Sequence, residues 1–163
     1  MSPVAQLVAG IADALRARSQ KMASAESCTG GLIAAACTEL SGSSDWFERG
    51  FVTYSNAAKS ELLGVPAALI EAHGAVSEPV VRAMAAGAVV NAHAHWSVAV
   101  TGIAGPTGGS ADKPVGTVWF AWATPQGVFS EYQRFGGDRS AVRQASVDRA
   151  LSGLFHCIRA SGD

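Results

Sequence analysis

The sequence predicts an α/β domain with helices on both faces of a mixed sheet. Segments of helical and strand pattern alternate along the chain. Two strand-like runs, Val115 to Thr124 and Val128 to Phe135, are joined by the turn Pro125-Gln126-Gly127, so part of the sheet is antiparallel. The 163 residues are 48% apolar and only 15% charged, which is enough to fill the core of one domain spanning 1–163.

The elements follow in order. Val4, Leu7, Val8, Ile11 and Leu15 recur at helical spacing, and Met22 to Ala25 is a short strand. Thr29 to Leu40 reads as a helix opened by Ser27 and Thr29 and weakened by Gly30 and Gly31. Phe47 to Tyr54 is a strand rich in aromatic and β-branched residues. Ala57 to Leu63 is a helix stopped at Gly64, with Pro66 just beyond and Asn56 as its simplest cap. Ser77-Glu78-Pro79 starts a helix that runs to about Ala92. Trp96 to Thr101 is the next strand. After the hairpin, Asp138 caps a last helix reaching about Arg159.

A net charge of −1 supplies no basic field to draw the chain to nucleic acid or to an anionic membrane, and neither is expected as a partner. The segment Met1 to Arg18 is amphipathic and lacks the plan of a signal peptide. No apolar run reaches the ~18 residues of a membrane span. A cytoplasmic protein is expected. Cys28, Cys37 and Cys157 are odd in number and have no paired spacing, which predicts buried thiols rather than a disulfide framework. His93 and His95 lack a third ligand in clear spacing, His73 precedes a helix start and His156 falls in the terminal helix. No metal and no cofactor are expected.

Three motifs carry chemistry. Ala25-Glu26-Ser27-Cys28-Thr29-Gly30-Gly31 lies where a strand ends and a helix begins, the place where open α/β sheets collect ligands. Ser27 there is either a helix cap or a nucleophile whose oxyanion nearby amides would hold. Cys28 is a rival nucleophile or a buried residue. Glu26 is either a general base or the partner of a neighbouring amide or cation.

In Phe51-Val52-Thr53-Tyr54-Ser55-Asn56-Ala57-Ala58-Lys59, a strand delivers Tyr54 and a helix carries Lys59 five residues later. Lys59 either faces solvent or deprotonates a serine. The second role requires desolvation or positive potential to lower its pKa from ~10.4. Tyr54 is a core aromatic, a proton relay or a hydrogen-bond donor to the attacking oxygen.

In Thr101 to Ser110, glycines at 102, 105, 108 and 109 allow either a flexible loop or an anion nest of backbone N–H groups. The spacing matches neither the P-loop nor the dinucleotide fingerprint. Lys113 and Arg139 either add charge to a phosphate site or lie in solvent.

Together these motifs, with Gly42-Ser43-Ser44, Trp46 to Asn56, His73 to Val80, Lys113 to Phe120 and Gly137-Asp138-Arg139, resemble the CinA C-terminal domain family nearly end to end. The match is to its stand-alone members, the nicotinamide-nucleotide amidases. The resemblance implies a three-layer α/β/α sandwich with a mixed, mostly parallel sheet. It implies hydrolysis of the carboxamide of nicotinamide mononucleotide to nicotinate mononucleotide and ammonia. The family's nucleophile, tyrosine and lysine fall on Ser27, Tyr54 and Lys59. Thr29, Gly30 and Gly31 would hold the oxyanion. Gly102, Gly105, Gly108 and Gly109 would line the nucleotide pocket, with Arg139 as a phosphate partner. A homodimer is expected from the family and from the apolar composition. Many relatives carry aspartate where this chain has Thr107, so no acid acts from that position here. Larger members carry an additional N-terminal domain, and any activity of that domain is expected to be missing.

Two other readings remain at this point. One is a non-catalytic nucleotide-binding or regulatory module that uses the same loops. The other is an acyl hydrolase acting through Cys28.

Overall fold

The computed structural model describes residues 1–162. Its strands are β1 (Met22–Glu26), β2 (Phe47–Val52), β3 (Trp96–Gly102), β4 (Thr117–Thr124) and β5 (Gly127–Arg134). Its helices are α1 (Pro3–Arg18), α2 (Leu32–Thr38), α3 (Asn56–Leu63), α4 (Ala67–His73), α5 (Glu78–Ala92) and α6 (Arg139–Ala160). One sheet has the order β2-β1-β3-β4-β5. The β1 pairings to β2 and β3 are parallel, and the β3/β4 and β4/β5 pairings are antiparallel. Only β4 therefore runs against the other strands, which is the mixed, mostly parallel sheet expected.

The period-two alternation of the strands sorts their residues by size. Met22, Val98, Val100, Phe120 and Trp122 point to one face, where α1, α2 and α6 bring Ile11, Ile33 and Leu151. Ala23, Ala25, Ala99, Ala121 and Ala123 point to the other face and meet Val81, Met84 and Ala85 of α5. The small residues let α5 lie close to the sheet. Gly87 extends this closeness to α3, because a Cβ there would sit 2.0 Å from the Leu63 carbonyl oxygen. That contact seats α3, and the lysine it carries, against the body of the domain.

Several boundaries differ from expectation. The second helix begins at Leu32, not Thr29, because Gly30 (φ +59°) and Gly31 (φ +111°) hold a left-handed turn that a helix cannot absorb. The cap of α3 is Ser55, whose Oγ accepts from Ala58 N at 3.0 Å, and not Asn56, which is the first helical residue. Pro66 is the residue that opens α4, a seven-residue helix the sequence reading left out. The second strand stops at Val52, and β4 starts only at Thr117. No described helix is long and apolar enough to cross a membrane.

Candidate active site

The three strands joined by parallel pairing, β1, β2 and β3, end on the same side of the sheet, at Glu26, Val52 and Gly102. Ser27 follows β1 directly, and its N–H donates to Val100 O at 3.0 Å, so the sheet itself fixes its position. It is 8% exposed. Lys59, the fourth residue of α3, is 1% exposed. Its Nζ lies 3.1 Å from Ser27 Oγ, 3.0 Å from Thr53 O and 3.2 Å from Tyr54 O.

Burial shifts this lysine toward its neutral form. Desolvation pushes the Lys59 pKa down, against a smaller opposing effect of Cys28. Among the described residues no carboxylate pairs with it. A neutral amine has two N–H bonds and one lone pair. Nζ donates to Ser27 Oγ, Thr53 O and Tyr54 O as the ammonium; once neutral, its two hydrogens go to the carbonyls and its lone pair faces the hydroxyl of Ser27.

Glu26 settles one of the alternatives the sequence left open. Its carboxylate accepts from Thr29 Oγ1 (2.6 Å), Ile33 N (2.8 Å) and Ala34 N (3.1 Å). It is fully buried and caps α2 from within. The helix N-terminus that the sequence suggested for a ligand is therefore already occupied. The amides left over lie in the turn before it. Gly30 N is engaged, donating to Ser27 O at 3.1 Å. Among the described residues, the N–H groups of Thr29 and Gly31 find no acceptor. Thr29 has no exposed surface, and a buried N–H without a partner costs about 1–3 kcal/mol.

The Tyr54 phenol does not join the Ser27–Lys59 pair. Its side chain is exposed, and its hydroxyl meets Arg139 Nη2 at 3.4 Å. Only the Tyr54 carbonyl reaches Lys59. Arg139 Nη1 also donates to Gly105 O at 2.8 Å, which ties the glycine-rich loop to the start of α6. A cavity of about 460 Å3 opens between Ala104, Pro106, Val115 and Arg139. Among the described residues, the N–H groups of Gly105, Gly108 and Gly109 have no acceptor. Gly102 closes the base of the loop, since a Cβ there would be 3.1 Å from Cys28 Sγ and 2.8 Å from Val118 Cγ2. Lys113 donates instead to His73 O at 2.7 Å and braces a different turn.

Burial pushes the Cys28 thiol up to about 11, so it is protonated at neutral pH. His95 Nδ1 accepts from Lys21 N at 3.1 Å, and His93 ends α5. Sequence reasoning missed Arg143. Its Nε donates to Cys28 O at 3.1 Å and its Nη2 lies 3.4 Å from Thr29 O. A signal was present: Arg139 and Arg143 stand four apart in the first turns of a helix, where the dipole disfavours cations.

Comparison with known proteins shows the family. The model of the CinA C-terminal domain matches residues 4–158. The chain is 52% identical over 155 residues to the nicotinamide-nucleotide amidohydrolase PncC of Escherichia coli strain K12, covering 94% of each chain. It is 58% identical over 156 residues to the protein of the same name from Enterobacter agglomerans, covering 94% of this chain and 95% of that one. The crystal structure of the competence/damage-inducible protein CihA from Agrobacterium tumefaciens superposes with a TM-score of 0.93 at 43% identity, covering 98% of this chain and 97% of that one.

Proposed function

The chain belongs to the CinA C-terminal domain family, and on that premise we propose that it hydrolyses nicotinamide mononucleotide to nicotinate mononucleotide and ammonia, with Ser27 as nucleophile and Lys59 as its base. We propose equally that residues 1–163 act as one such domain. The observation that carries the reading is the buried contact of 3.1 Å between Lys59 Nζ and Ser27 Oγ, with desolvation holding the lysine pKa down.

Ser27 Oγ attacks the carboxamide carbon as its proton passes to Lys59 Nζ. The carbonyl oxygen becomes an oxyanion, held by the free amides of Thr29 and Gly31; Gly30, whose N–H is engaged, shapes the turn instead. The C–N bond then breaks, and Lys59 returns the proton to the departing ammonia. Water attacks the acyl-enzyme with Lys59 again as base, and Ser27 is released with the carboxylate product. The Tyr54 carbonyl orients Lys59, and the Tyr54 phenol and Arg139 stand together at the mouth of the site. There, Arg139 and the amides of Gly105, Gly108 and Gly109 suit the phosphate of the nucleotide.

The test follows ammonia release from nicotinamide mononucleotide by the wild type and by a folded Ser27→Ala variant. Release that is lost in the variant is the expected result. Release that survives in the variant removes Ser27 as nucleophile. Nucleotide binding without release by the wild type returns the chain to the non-catalytic reading.

A further inference from the structure

We propose that Arg143 is a positioning residue for the oxyanion site, acting through the peptide between Cys28 and Thr29; the inference rests on the amidase reading above. The Arg143 guanidinium reaches from α6 to the carbonyls of Cys28 and Thr29. The Cys28–Thr29 peptide is trans, so its C=O and N–H point in opposite directions. Gripping the carbonyl from the α6 side therefore turns the Thr29 N–H away from α6. That N–H belongs to a fully buried residue, two positions after Ser27, and has no acceptor among the described residues.

Three further facts support a dedicated role. The guanidinium lies directly against the left-handed turn it would hold, since Gly30 has φ +59° and a Cβ there would be in ordinary contact with Arg143 Nη2 at 3.4 Å. Among the described residues Arg143 forms no ion pair, so its charge is not offset by a neighbouring carboxylate. Its place near the N-terminus of α6 opposes the helix dipole and gains α6 nothing. A planar fork that holds two successive carbonyls fixes the turn in a way that a lysine ammonium does not reproduce.

The experiment compares wild type, Arg143→Ala, Arg143→Lys and Ser27→Ala on two substrates, nicotinamide mononucleotide and p-nitrophenyl acetate, with the unfolding midpoint measured for each. The ester reports serine acylation without needing the nucleotide pocket. Arg143→Ala is expected to lose about 100-fold in kcat on both substrates with KM within about threefold, the size of loss that follows a misplaced catalytic group. Arg143→Lys is expected to recover only part of it, while added guanidinium at tens of millimolar partly restores Arg143→Ala. Unchanged kcat, a change in KM alone, or a loss that tracks unfolding in both variants overturns the proposal. Ester turnover that depends on Ser27 and Arg143, without nucleotide turnover, sinks the substrate assignment and upholds the positioning role. A wild type inert on both substrates overturns both.

Discussion

Lys59 Nζ lies 3.1 Å from Ser27 Oγ, and both side chains are almost wholly buried. β1 places the serine and α3 places the lysine, and the Leu63–Gly87 contact keeps α3 from drifting. Replacing Lys59 with methionine keeps the volume and removes the base. Ammonia release is expected to fall at least about 10³-fold, more than a general base alone contributes at the low end of its range, because the hydroxyl also loses its orientation. Stability is expected to change by less than about 2 kcal/mol, since two orphaned carbonyls are offset by the loss of a group that is costly to bury. Denaturant unfolding beside the activity assay checks both halves.

The lowered Lys59 pKa sets the pH dependence. The reacting form is neutral, so kcat/KM is expected to rise with pH through the depressed lysine value and to level off below 10.5. For stability, the folded state binds fewer protons than the unfolded one between those two values. Lys59 therefore costs stability below its folded pKa, and this penalty shrinks as pH rises towards 10.5. A pH–rate profile that goes on rising and flattens only above 10.5 contradicts the first statement. The second is checked by comparing wild type and Lys59→Met in unfolding titrations across the same range.

The Cys28 thiol, at about 11, is expected to resist alkylation at pH 7.5, and Cys28→Ala is expected to keep ammonia release within about threefold. Cys157, half-buried with a thiol also raised by burial, is the residue expected to react first. Mass mapping of iodoacetamide-treated protein with a parallel activity assay decides the point; rapid inactivation with label on Cys28 goes against it.

The sheet and most helices were legible because apolar periodicity is a local signal. The alternation in Trp96 to Thr101 and the cap at Asp138 gave their elements directly. The helix α4 was not legible, because Pro66 marks a helix start and a helix stop equally well. In the site, Ser27, Lys59, Arg139 and the glycine loop stood out by residue type. What the sequence could not show was direction. It did not reveal that Tyr54 turns its phenol to Arg139, that Glu26 turns inward to cap α2, or that Arg143 crosses more than a hundred residues of chain to grip the turn after Ser27. Those are tertiary contacts with no local periodicity.

Glu26 should then matter chiefly for architecture. Its three hydrogen bonds are buried and charge-assisted, and removing it leaves Ile33 N and Ala34 N without an acceptor. Glu26→Ala is expected to lose about 3 kcal/mol of unfolding free energy. Glu26→Gln retains the shape but keeps only one acceptor oxygen, so an intermediate loss is expected. Equilibrium denaturation reads both variants; an alanine variant within about 0.5 kcal/mol of wild type removes Glu26 from this role.

Arg139 offers the sharpest division between binding and chemistry. Its guanidinium holds Gly105 O and touches the Tyr54 hydroxyl, but makes no contact with Ser27 or Lys59. If it meets the phosphate, its loss should weaken the ground state and the transition state alike, which raises KM and leaves kcat in place. A charge-assisted contact of about 1.5–3 kcal/mol corresponds to a KM increase on the order of 10- to 100-fold for Arg139→Ala on the mononucleotide. The riboside lacks the phosphate, so its KM should move far less. Tyr54→Phe removes only the hydroxyl beside Arg139 and is expected to raise KM for the mononucleotide by less than about tenfold with kcat preserved. A collapse of kcat in Tyr54→Phe would place the phenol on the proton path instead, which requires its side chain to swing inward from its exposed position when substrate binds.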